Sequence, residues 1–334
     1  MVRKGGNAVI NKNQKISVLM SVYNEPLIYV QKALESIRAQ SYKNLEIIVI
    51  VDKPDYQEAV TYLNDMQKVD QRINYHVNRT NIGLAMSLNR ALSYATGSYL
   101  ARMDADDIAK VERLEKELNY IEQKQLDVVG SWADVIDEND AVWNEISGTY
   151  FAQEAVTKLL PIQNVLIHPT VLMRTDMLKE VGGYRNFASC QDYDLWLRLL
   201  SANYKIGIIN EKLLFFRRHK NSITATRRYN QILNEMYIQE LYRQRLKHGK
   251  DDFSEAHLND YLSRNGYKDS ENVKRQNELL AHYQTGKKEI AQRNIVAGVK
   301  DLAVSLSSSA VRHSIKVSAK AKMIKQRLNR GTKQ

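Results

Sequence analysis

The first third of the sequence alternates between two kinds of segment. Four largely apolar, strand-like runs enclose three amphipathic runs with helical spacing. The strand-like runs are KISVLMSVY, LEIIVIV, INYHV and SYLARM. The helical runs are LIYVQKALESIRAQ after Pro26, a stretch from about Pro54 to Val69, and IGLAMSLNRALSYA, which Gly97 ends. This order predicts an α/β fold whose mostly parallel sheet is flanked by helices.

The pattern changes after Val111. A helical run, ERLEKELNYIEQ, precedes LDVVGSWADVID and VWNEISGTY, which predict a hairpin. Then come HPTVLM, the turn VGGYR, the helical DYDLWLRLLSA, and two short strand-like runs, KIGIIN and KLLFFRRH. From about Ala225 only polar helical patterns remain. We therefore predict three regions: a basic N-terminal tail at 1–14, an α/β domain at 15–225, and a helical, basic C-terminal extension at 226–334.

The formal net charge of +11 resides at the two ends of the chain. Residues 1–15 contain four Lys or Arg and no acid, and residues 295–334 contain nine against Asp301. The segment between them is nearly neutral. This distribution argues against nucleic acid as a partner of the folded domain and favours a tethering role for the ends.

The sequence gives no sign of export. Cys190 is the single cysteine, so an intramolecular disulfide cannot form. The N-terminal residues lack an apolar core and a cleavage site, and no apolar run approaches the ~20 residues of a membrane-spanning helix. We expect a cytoplasmic protein, either soluble or peripheral to a membrane.

Polar side chains follow three of the predicted strands. Asn24 and Glu25 come after the first strand, Asp52 after the second, and Asp104 with Asp106 after the fourth. Because parallel strands present their carboxyl ends at one edge of a sheet, we expect these groups to share one cleft.

The stretch YLARMDADDIA places three carboxylates within four positions. Such crowding is offset by a cation, by Lys or Arg, or by proton uptake. Oxygen ligands suit Mg²⁺ or Mn²⁺, which leave room for substrate phosphates. No glycine-rich phosphate loop occurs in the sequence, so a metal would have to carry the diphosphate. The alternative is a solvated loop in which Asp106 or Asp107 caps the following helix.

These motifs together resemble the family 2 glycosyltransferases, inverting enzymes with the GT-A nucleotide-sugar fold, which is Rossmann-like. The resemblance covers residues 15–225, which it makes the catalytic domain. It rests on the following stretches in this order: ISVLMSVYNE, LEIIVIVD, NRTNIGLAMSLNRALSYATGSYLARMDADD, HPTVLMR, GGYR and QDYDLWLRL.

The resemblance implies a donor side to the site. Asp52 would bind the uracil ring, which favours a UDP-sugar, although a turn-forming role is the alternative. Asp104 would contact the ribose. The remaining donor-side residues bracket the nucleotide or lie in the diphosphate loop: Asn24, Glu25, Arg79, Asn81 and Gly83.

The resemblance also implies a metal site. Asp106 would bind Mn²⁺ or Mg²⁺, and His219, which follows the last core strand, would approach the metal or the diphosphate. Asp107 would orient the loop or cap a helix.

For inversion, a carboxylate must take the proton of the acceptor hydroxyl. Asp192 in QDYDLW resembles the family's base, with Asp194 as the competing candidate and an N-cap role as the alternative. Gln191 departs from the family's Glu-Asp pair. The resemblance extends to the acceptor side, where His168 would shape a loop and Tyr184 and Trp196 would stack on a sugar; core packing is the alternative for Trp196.

Residues 295–328 read as one weakly amphipathic, cationic helix, with a stripe that includes Val299, Ala310 and Ala321. Such a helix could lie on an anionic membrane leaflet. A solvated helix or a disordered tail is the alternative.

We therefore expect a metal-dependent inverting glycosyltransferase that moves a sugar from a nucleotide sugar to a glycan. The acceptor would be lipid-linked, in surface polysaccharide synthesis at the inner face of the membrane. The alternative is a non-catalytic protein that binds nucleotide sugars or glycans, to which the Gln191 departure lends weight. A third, weaker hypothesis is a nucleic-acid-binding protein.

Overall fold

A computed structural model describes residues 14–146, 153–218 and 228–331. The described chain forms two compact units, each built from several segments. The first unit draws on residues within 1–157, 165–188 and 198–219, and the second on those within 158–164, 189–197 and 220–334. The domain boundary expected after residue 225 stays a prediction.

The first unit is built around a sheet whose first four strands are parallel. Strand β1 (Ile16–Val22) lies between β2 (Leu45–Val51) and β4 (Tyr99–Asp104), and β3 (Ile73–Val77) flanks β2. Nearly every residue of β1 and β2 is buried, as expected for strands with helices on both faces. The parallel sheet expected from the alternating pattern is confirmed.

Beyond β4 the sheet becomes mixed. Strand β8 (Leu172–Arg174) pairs antiparallel with β4 and with β6 (Val128–Ile136). Strand β6 forms the expected hairpin with β7 (Val142–Ile146) and runs parallel to β9 (Ile206–Arg217). The two-residue β5 (Ile108–Ala109) pairs with β9. In the described chain the order is β3-β2-β1-β4-β8-β6-β9-β5.

One expectation about the strands is wrong. KIGIIN and KLLFFRRH were expected as two strands, but β9 passes through both. Ser131 pairs with Ile209 and its neighbour Trp132 pairs with Lys212, so Asn210 and Glu211 are extra residues that bulge outward and are exposed. The polar pair breaks the apolar pattern without ending the strand.

The helices of the first half bury regular apolar faces. In α1 the buried residues are Val30, Ala33, Leu34 and Ile37, which share one side at helical spacing. Within residues 14–218, the described α-helices are α1 (Leu27–Arg38), α2 (Gln57–Val69), α3 (Leu84–Tyr94), α4 (Arg113–Lys124), α5 (Gln153–Leu159), α6 (Thr175–Glu180) and α7 (Gln191–Ser201).

The remainder of the second unit is helical, which confirms the expected C-terminal region. Its helices are α8 (Arg228–His248), α9 (Glu255–Arg264), α10 (Ser270–Ala291), α11 (Ile295–Ser305) and α12 (Ser309–Gly331). Its core brings α8, α10 and α12 together through Tyr229, Ile232, Leu233, Leu280, Tyr283, Ala310 and Val311. No helix within the described ranges is long and apolar enough to cross a bilayer.

The C-terminal stretch is two helices rather than the single one expected. The serine-rich turn separates α11 from α12, and the Ser308 hydroxyl accepts a hydrogen bond from the Val311 N–H. Ala310 and Ala321 of the expected surface stripe are buried. Val299 of that stripe is 54% exposed on α11, where Val296, outside the stripe, is 85% exposed.

Candidate functional site

The carboxyl ends of β1, β2 and β4 meet at one edge of the sheet. Val22 pairs with Val51, and Ser21 pairs with Asp104, so the residues that follow these strands emerge side by side. Asp52 continues from β2, and Glu25 lies within the electrostatic reach of Asp104. The polar strand ends singled out in the sequence therefore share an edge, which is where open α/β sheets bind ligands.

Asp52 organises the loop between β3 and α3. Its side chain is 2% exposed. One oxygen accepts hydrogen bonds from the Asn78 amide at 2.6 Å and the Ile82 N–H at 2.9 Å, and the other accepts from the Gly83 N–H at 2.8 Å. The carboxylate thus fixes the loop through three donors. Its contact with uracil stays a prediction.

The same loop carries three of the expected donor-side residues. Arg79 and Asn81 are exposed, and the Asn81 side chain accepts a second hydrogen bond from the Gly83 N–H at 2.9 Å. Gly83 has φ +82° immediately before α3, a conformation that glycine adopts without steric cost. The loop therefore has a defined shape at the edge of the sheet.

Two residues of this network were missed in the sequence. The Asn78 amide donates to Ser87 at 2.9 Å as well as to Asp52, and the Arg90 guanidinium bonds the Asn78 side chain and the Val77 carbonyl. Asn78 directly follows β3, so the strand-end rule could have found it. Arg90 lies within a regular helix, and its sequence pattern carries no such signal.

The loop after β1 folds back on Glu25. The Glu25 carboxylate accepts hydrogen bonds from the N–H groups of Tyr23 at 2.7 Å and Asn24 at 3.2 Å. Tyr56 donates to the Glu25 carbonyl at 2.7 Å, and Lys53 donates to the Asn24 side chain at 3.0 Å. Burial raises the pKa of Glu25, with a further contribution from Asp104, while the backbone donors oppose the rise.

An acidic cluster lies at the end of β4. Asp104, Asp106 and Asp107 each offer a carboxylate oxygen, and these oxygens lie within 4.8 Å of one another. Asp107 is 1% exposed; one of its oxygens accepts from the Arg217 N–H at 2.8 Å, and the other has no hydrogen-bond partner. Burial, Asp104 and Asp106 raise the pKa of Asp107 well above its ordinary value. Oxygen donors with an unsatisfied buried member fit a divalent cation.

The capping role considered for Asp106 or Asp107 is wrong. Helix α4 begins at Arg113, its N-cap residue is Glu112, and no side chain caps it. Asp107 belongs to the acidic cluster instead. The sequence does not distinguish the two roles, because a buried carboxylate and a solvated turn residue look alike in sequence.

Two buried arginines hold the acidic cluster from within the first unit. Arg102 is 3% exposed and forms an ion pair with Asp104. Arg217, at the end of β9, donates to the Asp106 carbonyl at 2.8 Å and to the Asp137 carbonyl at 2.6 Å, and its guanidinium stacks over Tyr29. Neither was singled out in the sequence. His219, two residues after Arg217, lies outside the described residues, so its metal role stays a prediction.

The GGYR turn is held by side chains of the first unit. Asn89 accepts from the Tyr184 N–H and donates to the Tyr184 carbonyl, both at 2.8 Å. Arg198 donates to the carbonyls of Val181 at 2.7 Å and Gly183 at 2.6 Å. These four bonds fix the turn that carries Tyr184.

The expected acceptor-side residues are buried. His168 lies in a short 3-10 turn (His168–Thr170), 9% exposed, with its Nε2 3.0 Å from the Tyr184 hydroxyl. Burial, aided by Arg102, lowers the pKa of His168 well below its usual value, so the ring is neutral. Tyr184 is 4% exposed, and Asp194 and Trp196 are fully buried. Their acceptor contacts stay predictions, and Trp196 occupies the core position given as its alternative.

Asp192, the expected base, lies in the first turn of α7. It is half-buried, and one carboxylate oxygen accepts a hydrogen bond from the Asn164 amide at 2.7 Å. The helix dipole and this amide both favour the ionised form of the carboxylate. Asp192 belongs to the second unit.

Comparison with known sequences identifies the family. The mixed sheet, with its parallel first strands and acidic edge, has the GT-A-type fold. Residues 17–182 match the model of "Glycosyl transferase family 2". The uncharacterized glycosyltransferase MJ1057 of Methanocaldococcus jannaschii is 32% identical over 234 residues, which cover 70% of this chain and 81% of that protein. The chain belongs to glycosyltransferase family 2.

Further similarities agree with this assignment. The O-antigen biosynthesis glycosyltransferase WbnJ of Escherichia coli is 34% identical over 210 residues, covering 62% of this chain and 81% of that protein. S. aureus TarS 1–349 in complex with UDP-GlcNAc has a TM-score of 0.56 at 16% identity, over 95% of this chain and 92% of that one. The mannosyltransferase PcManGT from Pyrobaculum calidifontis, with GDP-Man and Mn²⁺, has a TM-score of 0.56 at 13% identity, over 96% and 84%. These structures share the fold.

Proposed function

We propose that the chain is a metal-dependent inverting glycosyltransferase that uses a UDP-sugar to extend a glycan, with a lipid-linked acceptor, in surface polysaccharide synthesis. The observation that carries the proposal is the acidic cluster at the carboxyl edge of the sheet, with its unpartnered buried Asp107 oxygen. WbnJ, named for O-antigen biosynthesis, and the UDP-GlcNAc complex of TarS support the process and the donor class.

Divalent metal binding fits the donor set of this cluster. Asp106 would hold the ion, with Asp104 and Asp107 beside it and His219 as a further ligand. When bound, Mn²⁺ or Mg²⁺ supplies positive charge that stabilises the leaving diphosphate. The Mn²⁺ complex of PcManGT supports this assignment without fixing the metal. Arg102 pairs with the Asp104 carboxylate, and Arg217 donates to the Asp107 carboxylate and to the Asp106 backbone carbonyl, so both arginines bring positive charge to the cluster.

The nucleotide would lie along the strand ends. Asp52 would bind the base, Asp104 the ribose, and Asn24 with Glu25 would bracket the nucleotide. The loop with Arg79, Asn81 and Gly83 would reach the diphosphate. Support comes from the fixed shape of this loop, because a loop that is already ordered loses less conformational entropy when a ligand binds.

Asp192 would act as the general base. It takes the proton of the acceptor hydroxyl while that oxygen bonds to the anomeric carbon, and the bond to the diphosphate breaks with its electron pair leaving on the diphosphate. Attack opposite the leaving group inverts the configuration. The amide of Asn164 holds the carboxylate at 2.7 Å and supports its ionised form.

UDP binding with and without Mn²⁺, measured by calorimetry, tests the donor and metal assignments. Binding should require Mn²⁺ and should be lost in Asp106→Ala. Asp65→Ala is the matched control, because Asp65 is an exposed carboxylate on α2. Metal-independent binding, or equal binding by Asp106→Ala, would contradict the proposal.

The alternative is a non-catalytic protein that binds nucleotide sugars, which Gln191 favours because it replaces an acid of the family motif. Asp192→Asn separates the two functions. An enzyme loses sugar transfer and keeps donor binding, whereas a binding protein has no transfer to lose.

We further propose that the protein is cytoplasmic and associates with an anionic membrane surface through its C-terminal helices, with the exposed apolar side chains of α11 and the basic side chains of α12. Val296 and Val299 are exposed, and residues 295–334 contain nine Lys or Arg against one acid. Each basic residue near an anionic leaflet contributes about 1 kcal/mol.

Cosedimentation with vesicles tests this surface. Phosphatidylglycerol vesicles should bind the protein and phosphatidylcholine vesicles should not, and Val296→Asp with Val299→Asp should abolish binding. Val69→Asp is the control, since Val69 is 72% exposed on α2. Equal binding by the double variant would rule α11 out as the contact.

A further inference from the structure

Helix α8 lies along the segment that carries Asp192. The Asn234 amide donates to the Ser189 hydroxyl at 2.9 Å, and the Cys190 thiol lies 3.7 Å from the Gln231 carbonyl. The Gln239 amide lies 3.2 Å from the Tyr193 hydroxyl and donates to the Ile162 carbonyl at 2.8 Å. All of these residues belong to the second unit.

Glu235 lies between these contacts. It follows Gln231 by one helical turn and precedes Gln239 by one turn, so the three side chains share a face of α8. Cys190 contacts the Gln231 backbone carbonyl and Tyr193 contacts the Gln239 side chain, so Glu235 on α8 and residues 191–192 on α7 both lie between these two contacts. The side chain is half-buried.

The charges around Glu235 come from α8 and from the start of α7. Burial raises the pKa of Glu235 to about 7; Arg228 on its own helix lowers the pKa and Asp192 raises it. The neighbouring Cys190 thiol has its pKa raised well above normal by burial, Glu235 and Asp192. Burial and Glu235 also raise the pKa of Tyr193, the third titratable group beside Glu235. Asp192 therefore has a second carboxyl group in its electrostatic field.

We propose that Glu235 supplies the second carboxylate beside Asp192, in the place of the acid that the family motif has at position 191, and thereby sets the proton affinity of Asp192. This inference rests on the proposed role of Asp192 as the base. A neighbouring negative charge raises proton affinity, and a stronger base removes the acceptor proton faster. Glu235 acts through Asp192 and is a positioning residue.

The coupling can be measured without substrate. Because coupling between two sites is reciprocal, the effect of Asp192 on Glu235 equals the reverse effect. The protein is labelled with glutamate that carries ¹³C at its side-chain carboxyl carbon, and an NMR titration gives the pKa of Glu235. The Glu235 signal is assigned by its loss in Glu235→Gln. Asp192→Asn should lower this pKa by about one. The matched control is Asp260→Asn, an exposed carboxylate on α9.

Turnover gives the second readout. With UDP-GlcNAc as the probe donor, Glu235→Gln should lower kcat about fivefold with an unchanged KM, and Gln191→Glu combined with Glu235→Gln should restore it. Glu240→Gln, an exposed neighbour on α8, should have no effect. Thermal unfolding of each variant identifies any loss of kcat that comes from misfolding.

The outcomes separate the two proposals. An unchanged pKa of Glu235 in Asp192→Asn overturns the coupling, whatever the turnover. A fall in kcat without rescue by Gln191→Glu also overturns it, because a structural role would not be replaced from position 191. Full turnover in Asp192→Asn overturns the base assignment itself, whereas loss of turnover there with no effect of Glu235→Gln overturns only the inference.

Discussion

At the scale of single residues, the clearest constraint is the glycine pair of the VGGYR turn. Both Gly182 (φ +79°) and Gly183 (φ +71°) are left-handed, so both favour glycine. The two positions differ in the room available for a side chain. A Cβ at Gly183 would lie 2.4 Å from the Asn89 side-chain oxygen, whereas a Cβ at Gly182 would have nothing within 4 Å. The hydrogen bonds of Asn89 to Tyr184 prevent that oxygen from moving aside freely.

This difference gives a residue-scale prediction. Gly182→Ala should lower the free energy of unfolding by about 1 kcal/mol through backbone strain alone. Gly183→Ala adds a clash with Asn89 and should lower it by about 2–4 kcal/mol. Urea unfolding of the two variants measures both values. Equal losses would mean that Asn89 does not restrain the turn.

At the scale of secondary-structure elements, α4 contains a buried ion pair that a side chain of β6 contacts. Arg113 and Glu117 are both fully buried, one turn apart, with the Glu117 carboxylate 3.1 Å and 3.2 Å from the Arg113 Nε. Ser131 of β6 donates to Glu117 at 3.4 Å. Burial raises the pKa of Glu117 to about 7, although Arg113 opposes the rise.

A pH dependence of stability follows from Glu117. Its pKa is about 4.3 in an unfolded chain and about 7 when folded, so the folded state binds the extra proton. The associated stability is complete below about pH 4.5 and is lost as the pH rises through about 7. Urea unfolding measures the free energy of unfolding of the wild type and of Glu117→Gln from pH 5 to pH 8. As the pH rises, the value for the wild type should fall relative to the value for Glu117→Gln. A constant difference between the two proteins would contradict this.

The elements that the sequence predicted best are those with local signals. Strands β1 to β4 and the helices between them follow from apolar periodicity, and the strand-end rule brought Asp52 and Asp104 to one edge. The contacts that fix the site are not local: the Arg217 N–H reaches Asp107 from 110 positions away. Likewise, the break between α11 and α12 depends on Ser308 acting as a cap, which the periodicity of the flanking residues does not reveal.

At the scale of the whole molecule, a truncation tests the boundary expected after residue 225. A chain of residues 1–225 lacks α8, and with it the partners that Asn234 and Gln239 provide to Ser189 and Tyr193. Amide hydrogen exchange in residues 189–197 should therefore be much faster in the truncated chain than in the full chain. Strand β1, in the first unit, is the internal control and should be unaffected. Equal exchange in 189–197 would show that this segment is ordered without α8.

The segmented make-up of the second unit also governs when the protein can fold during synthesis. Residues 158–164 and 189–197 leave the ribosome well before α8, yet α8 supplies their hydrogen-bond partners. The parallel strands can pair early, since domains fold from the N-terminal side as the chain emerges at about 5–20 residues per second. The segment bearing Asp192 must wait for the C-terminal helices, so a nascent chain stalled before α8 would hold the sheet without a finished Asp192 environment.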